Sequence, residues 1–192
     1  FHSDSDTEVI IKAYQEYGIL SVNKFIGMFA FALYDVKQQI VYLLRDRAGV
    51  KPLYYFQNND SLVFASELKS IYVYPGFEKN INEDAVTLFF KYGYIRAPHT
   101  IFKNTYKVQP GHYLKVDIAN KSIDEIKYYD VLDYYNKPKL NISEEEATTE
   151  VERLFTSAFQ YRMVSDVPVG VFLSGGYDSS LVAGVLQKNS TN

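Results

Sequence analysis

VGVFLSGGYDSSLVAGVL, from Val169 to Leu186, is the stretch on which the reading of this chain turns. Val167, Val169, Val171 and the pair Phe172-Leu173 make a short β-branched and apolar run, the composition of a buried strand. Ser174-Gly175-Gly176 breaks that run. From Ser180 to Gln187 apolar residues return at helical spacing, with Leu181, Val182, Val185 and Leu186. The pattern predicts strand, glycine-rich turn and helix start. Such an arrangement aims free backbone N–H groups and the positive end of a helix dipole at one point, which suits an anion. The glycines let backbone approach a ligand closely, and Ser174, Ser179 and Ser180 add hydroxyl donors. Asp178 is the odd member, because a carboxylate repels phosphate. It fits where a divalent cation joins it to the ligand, since hard cations take carboxylate and phosphate oxygens together. The plain alternative is a strand-to-helix turn with Asp178 or Ser179 as N-cap.

The stretch is neither G-x-x-x-x-G-K-[ST] nor G-x-G-x-x-G, so it is not the phosphate loop of ordinary nucleotide hydrolases or of dinucleotide-binding folds. Ser174-Gly175-Gly176-Tyr177-Asp178-Ser179 instead resembles the SGGxDS loop of the ATP pyrophosphatases. That resemblance implies a loop that holds the β- and γ-phosphates of ATP. It also implies cleavage between the α- and β-phosphates, with a substrate carboxylate or carbonyl adenylated and pyrophosphate released.

Before this stretch, a polar and Pro-containing segment precedes a long helical pattern over 143–164. Ser143 and Glu146 are spaced as a capping box, and Ala147, Val151, Leu154, Phe155 and Ala158 form its apolar stripe. Residues 127–141, KYYDVLDYYNKPKLN, are aromatic and irregular, and the domain boundary is placed in a linker over 131–142. Upstream, FIGMFAFALYD (25–35) and QQIVYLLRD (38–46) predict a hairpin, and KPLYYFQ with SLVFASE a second one across Asn58-Asn59-Asp60. YKVQPGHYLKVDI predicts strand, Pro110-Gly111 turn, strand. ELKSIYVY is a short helix. NEDAVTLFFKYG is a helix with Asn82 as N-cap and Gly93 at its end. The first helix opens with a second capping-box pattern, Ser5 and Glu8, carries Val9, Ile10, Ala13, Tyr14 and Tyr17 on its apolar face, and ends at Gly18.

Composition narrows the function class. The 192 residues carry 20 basic and 23 acidic side chains for a net charge of -3, mixed along the chain, so no nucleic-acid footprint is expected. A hydrophobic share of 47% is ample for a core, and no apolar run approaches the roughly 20 residues of a membrane span. There is no Cys, hence no disulfide and no thiolate metal site. With no signal peptide visible, a cytoplasmic protein is expected. Most of the 18 Tyr residues are read as half-buried strand positions. His2, His99 and His112 lack metal-ligand spacing, and His112 is expected at the surface.

Five segments in order, GMFAFALYD, RDRAGVKPLYY, FASELK, PGHYL and SDVPVGVFLSGGYDSSLVAG, resemble the glutamine-hydrolysing asparagine synthetases across nearly the whole chain. The resemblance implies an α+β part followed by an α/β part. Residues 1–130 would be the C-terminal part of an N-terminal-nucleophile glutaminase sandwich. Residues 143–192 would start an ATP-pyrophosphatase parallel-sheet domain. Glutamine, aspartate and ATP would be the substrates, with Mg2+ as the metal and a homodimer as the assembly. The N-terminal Cys nucleophile of that family has no counterpart here, and the chain starts with Phe1, so an internal fragment, inactive by itself, is expected.

Residue by residue, the resemblance implies that Asp6 holds the α-ammonium of glutamine. Read without it, Asp6 is a first-turn acid that favours its helix dipole. Ser174, Gly175, Gly176, Asp178, Ser179 and Ser180 carry over as the pyrophosphate loop, with Asp178 on Mg-pyrophosphate. Phe172 or Leu173 lies where the family's main chain meets adenine. Arg45, Asp46, Arg47 and Lys51 are read as structural pairs in a turn rather than a catalytic basic cluster. Ala48 and Tyr177 stand where the family usually has an aromatic residue and Leu, and Ala48 is expected to loosen a core turn. Three alternatives stay open. One is a related ATP-dependent amidotransferase acting on another carboxylate, in surface polysaccharide or secondary metabolism. The second is a non-catalytic nucleotide-binding module. The third, a tRNA-modifying pyrophosphatase, is disfavoured by the missing basic patch.

Overall fold

The computed structural model describes residues 1–188. The last four residues of the expected second domain lie outside them. The chain divides into two compact units, Phe1–Tyr135 and a second that starts at Asn136.

The first unit is built on a four-stranded antiparallel sheet in the order β1-β2-β6-β7, with β1 Ala30–Asp35, β2 Ile40–Arg45, β6 His112–Asp117 and β7 Ser122–Lys127. β2 is central, and its IVYLLR sequence is apolar without alternation because both its faces are covered. Ile40, Tyr42 and Leu44 pack with Val22, Tyr113 and Tyr14 on one face, the side of helix α1 (Asp6–Tyr17) and the 3-10 helix Gly18–Lys24. Leu43 and Leu114 point the other way. There they meet Tyr55 and Leu62 of a second antiparallel sheet, β4-β3-β5, with β3 Tyr54–Gln57, β4 Leu62–Ala65 and β5 Thr105–Lys107, together with Leu53 and Val108 that flank β3 and β5. Short helix α2, Leu68–Ile71, leads into an aromatic cluster of Phe56, Tyr72, Phe77 and Phe102. Helix α3, Glu83–Tyr92, is capped as its sequence predicts. The Asn82 side chain accepts from the amides of Asp84 and Ala85, and Gly93 closes the helix in the left-handed conformation at φ +77°.

Several expectations are corrected. The apolar run 25–35 is a strand only from Ala30. Phe25 and Phe29 pack edge to face in the irregular approach, so burial without strand pairing explains their hydrophobicity. The strand, Pro110-Gly111 turn and strand are present as expected, and because the two strands belong to different sheets the turn crosses between layers. Strand β7 lies in a segment with no predicted element. It is an edge strand whose charges Asp124, Glu125 and Lys127 mask the half-buried Ile123 and Ile126. The expected linker holds a short helix α4, Val131–Tyr135. Val9 and Tyr17, assigned to the buried face of α1, are exposed. His112, expected at the surface, is half-buried as the first residue of β6.

The second unit contains helices α5, Glu144–Arg162, and α6, Tyr177–Lys188, which pack against each other and are tied by the Lys188–Glu152 ion pair at 2.6 Å. The Ser143 and Glu146 capping box is fully formed. The expected strand over 167–173 is not: among the described residues of this unit no strand is present. A strand needs a neighbour to share its hydrogen bonds, Pro168 lacks a donor, and the segment finds no partner. The parallel-sheet start is therefore absent from this part of the structure. The apolar stripe of α5 is likewise not a buried core, with Val151 48% and Leu154 50% exposed.

Candidate functional site

Two places carry groups that could meet a ligand, one in each unit. A third polar knot turns out to be fully committed to the fold.

That third knot is Arg45-Asp46-Arg47 at the end of β2. Asp46 is 1% exposed, and its carboxylate accepts from the amides of Ala48 (3.1 Å), Val50 (2.9 Å) and Lys51 (2.9 Å). Arg45 donates to the carbonyls of Lys51, Val108 and Gly49 at 2.9, 2.7 and 2.7 Å. Arg47 donates to the carbonyls of Phe25 (2.6 Å) and Asn23 (2.8 Å), fastening the approach to β1. Tyr128 donates to the Arg45 carbonyl at 2.7 Å, and burial pushes its hydroxyl up to about 12. Burial also lowers the Arg45 guanidinium, with Asp46 opposing. The expected structural role is present, but the partners are backbone groups; among the described residues these side chains form no ion pair with one another. Ala48 is exposed, so it does not loosen a core turn.

In the first unit, Asp6 opens helix α1. Ser5 caps the helix by accepting from the amide of Thr7 at 3.2 Å. The reciprocal half of the expected capping box is missing. Glu8 reaches past the Ser5 amide and accepts from the amides of His2 (2.9 Å) and Ser3 (2.7 Å) and from the Ser3 hydroxyl (2.7 Å). Those hydrogen bonds, led by the Ser3 hydroxyl, hold the Glu8 carboxyl below the usual carboxylate range. Asp6 itself is exposed, and its carboxylate has no hydrogen-bond partner among the described residues.

In the second unit, the Ser174-Gly175-Gly176 turn runs into α6, whose first residues are Tyr177 and Asp178. Gly175 takes φ +82°, a left-handed conformation that strains other residues, and nothing lies within 4 Å of where a Cβ would sit. The backbone is therefore bare on that side. The Ser179 hydroxyl closes the turn. It accepts from the Ser174 amide (3.3 Å), meets the Ser174 hydroxyl at 3.0 Å and donates to the Gly176 carbonyl at 3.1 Å. Ser180 contributes its amide to the same carbonyl, at 3.1 Å, which starts the helix. Asp178 is exposed and without a hydrogen-bond partner among the described residues. Phe172 and Leu173, predicted at a strand end, are 99% and 65% exposed. The turn brings Ser174, Gly175, Gly176, Asp178, Ser179 and Ser180 together in one cradle at a helix N-terminus, geometry able to receive an oxyanion. A lone free carboxylate beside such a cradle fits a Mg2+ ion that takes most of its other ligands from phosphate and water.

Comparison with known proteins follows the same division. Residues 1–129 match the sequence family described as a glutamine amidotransferase domain, and residues 150–192 match the one described as asparagine synthase. A Methanocaldococcus jannaschii protein bearing the name of a glutamine-hydrolyzing asparagine synthetase is 42% identical over 189 residues, covering 96% of this chain and 35% of its own. The glutamine-hydrolyzing asparagine synthetase 3 of Bacillus subtilis is 34% identical over 96% of this chain and 29% of its own. Amidase chry2 of Gibberella zeae is 37% identical over 97% of this chain and 27% of its own. The chain thus spans about a third or less of the length of these relatives. Among the described residues no helix is long and apolar enough to cross a membrane.

Proposed function

This chain belongs to the glutamine amidotransferase domain family through residues 1–129, and on that premise we propose that its full-length protein makes asparagine from aspartate, ATP and glutamine. The first unit is the glutaminase part, an N-terminal-nucleophile sandwich, and Asp6 gives the α-ammonium of glutamine a charge-assisted contact. The second unit opens the ATP-pyrophosphatase part. The bare amides of Gly175 and Gly176 and the hydroxyls of Ser174, Ser179 and Ser180 hold the β- and γ-phosphates. The main chain at Phe172 and Leu173 borders adenine. A Mg2+ ion on Asp178 would offset the negative charge of the leaving pyrophosphate.

Held by its last two phosphates, ATP presents its α-phosphorus for attack. A side-chain oxygen of aspartate attacks there and pyrophosphate leaves. Ammonia then attacks the acyl carbon, and AMP leaves with that oxygen. The observation that supports this reading best is the combination at Gly175, a left-handed glycine whose Cβ position is empty, at the N-terminus of α6. The test is product analysis of the full-length protein supplied with ATP, aspartate and glutamine. AMP and pyrophosphate are expected in amounts equal to asparagine; ADP with free phosphate would overturn the assignment.

A further inference from the structure

A carboxylate three residues after a helix N-cap ordinarily turns back to the N-cap amide, as Glu146 does toward Ser143 at 2.8 Å. Glu8 stands in the same place after Ser5 and does something else. Both of its oxygens lie 2.9 Å from the His2 amide, and one also takes the Ser3 amide and hydroxyl at 2.7 Å each. The Ser5 amide is left to the Ser3 hydroxyl at 3.4 Å. Residues His2 to Ser5 are thereby folded into a closed turn over the start of α1 and pinned at one carboxylate. Asp6 emerges from that turn with its own carboxylate unpartnered among the described residues.

We propose that Glu8 is a positioning residue for glutamine binding: by gathering His2 and Ser3 it fixes the entry of the chain into α1, and with it the direction in which Asp6 points. This inference rests on the reading of Asp6 as the ligand of the glutamine ammonium. Glu8 acts through Asp6 because both its oxygens are engaged by backbone and hydroxyl donors of its own segment. A fixed carboxylate binds an ammonium better than one that must be ordered on binding, because ordering a segment carries an entropy cost.

Glutamate release from glutamine by the full-length protein provides the test. Asp6→Asn is expected to raise KM for glutamine by about tenfold to a hundredfold, the size of one charge-assisted contact. Glu8→Ala is expected to raise the same KM by roughly tenfold with a much smaller change in kcat, and Glu8→Gln, which keeps one acceptor oxygen, to fall between it and the parent. Combined, Asp6→Asn and Glu8→Ala are expected to be no worse than Asp6→Asn alone, since a guide has no effect once its target is gone. Hydrogen exchange of the His2 and Ser3 amides should speed up in Glu8→Ala while α1 stays protected. If Asp6→Asn raises KM and Glu8→Ala does not, the positioning role is wrong and the ligand role stands. Effects that multiply in the double variant, or kcat falling as far as KM rises, would also overturn the positioning role. If Asp6→Asn leaves KM unchanged, the ligand role itself falls and this inference with it.

Discussion

The turn Arg45-Asp46-Arg47 and the turn Ser174-Gly175-Gly176-Tyr177-Asp178-Ser179-Ser180 are both dense in polar groups, and both look chemical in the sequence. They differ in where those groups point. In the first, three charged side chains are wholly engaged by backbone. Asp46 takes three amides, Arg45 three carbonyls and Arg47 two. In the second, the hydroxyl of Ser179, with Ser174 and the Ser180 amide, holds the turn in shape, while Asp178 and the bare side of Gly175 remain available. A polar cluster with every partner inside the protein is scaffold. One with an open face and an unpartnered charge is a candidate for ligand. Charge content does not separate the two; hydrogen-bond bookkeeping does.

The sharpest way to break this contrast is to remove the central acid of each turn. Asp46→Ala leaves the amides of Ala48, Val50 and Lys51 without their acceptor beside a buried core. A loss of about 3 kcal/mol in unfolding free energy is expected, measured by urea denaturation. Water can reach those surface amides, which keeps the figure at this level rather than higher. Asp178→Ala should shift the same curve by less than about 0.5 kcal/mol, because no partner within the protein is lost. Its effect belongs instead to pyrophosphate release from ATP. A stable Asp46→Ala variant, or an Asp178→Ala variant that unfolds readily, would erase the distinction between the turns.

Much of the fold is legible in the sequence because its signals are local. Asn82 and Gly93 bracket α3 by side-chain and backbone geometry that needs no tertiary partner, and so does the box of Ser143 and Glu146. The hairpin of β1 and β2 follows from apolar runs flanking a short polar turn. What sequence reasoning missed depends on neighbours. β7 is strand only because β6 offers an edge, and its two isoleucines are too few to stand out among charges. Phe25 and Phe29 are apolar because aromatic rings pack there, with no strand to pair them. Residues 167–173 have the composition of a strand and no partner to make one. The polar turn after them closes through Ser179 and needs no sheet, so the turn and helix start follow from the order of Ser174 to Ser180. The pattern Ser5 and Glu8 shows the limit of such signals. It is the same spacing as Ser143 and Glu146, yet Glu8 is drawn to His2 and Ser3, donors whose position no spacing rule contains.

On the proposed function, the Ser174–Ser180 turn directs ATP to be opened at its α-phosphorus by a carboxylate. Isotope tracing tests it most directly. The full-length protein is supplied with ATP, glutamine and aspartate carrying oxygen-18 in its side-chain carboxylate, and the nucleotide product is analysed by mass spectrometry. Attack of that carboxylate on the α-phosphorus leaves one labelled oxygen in AMP and the other in the amide of asparagine. Unlabelled AMP, or label found in inorganic phosphate beside ADP, would contradict the account.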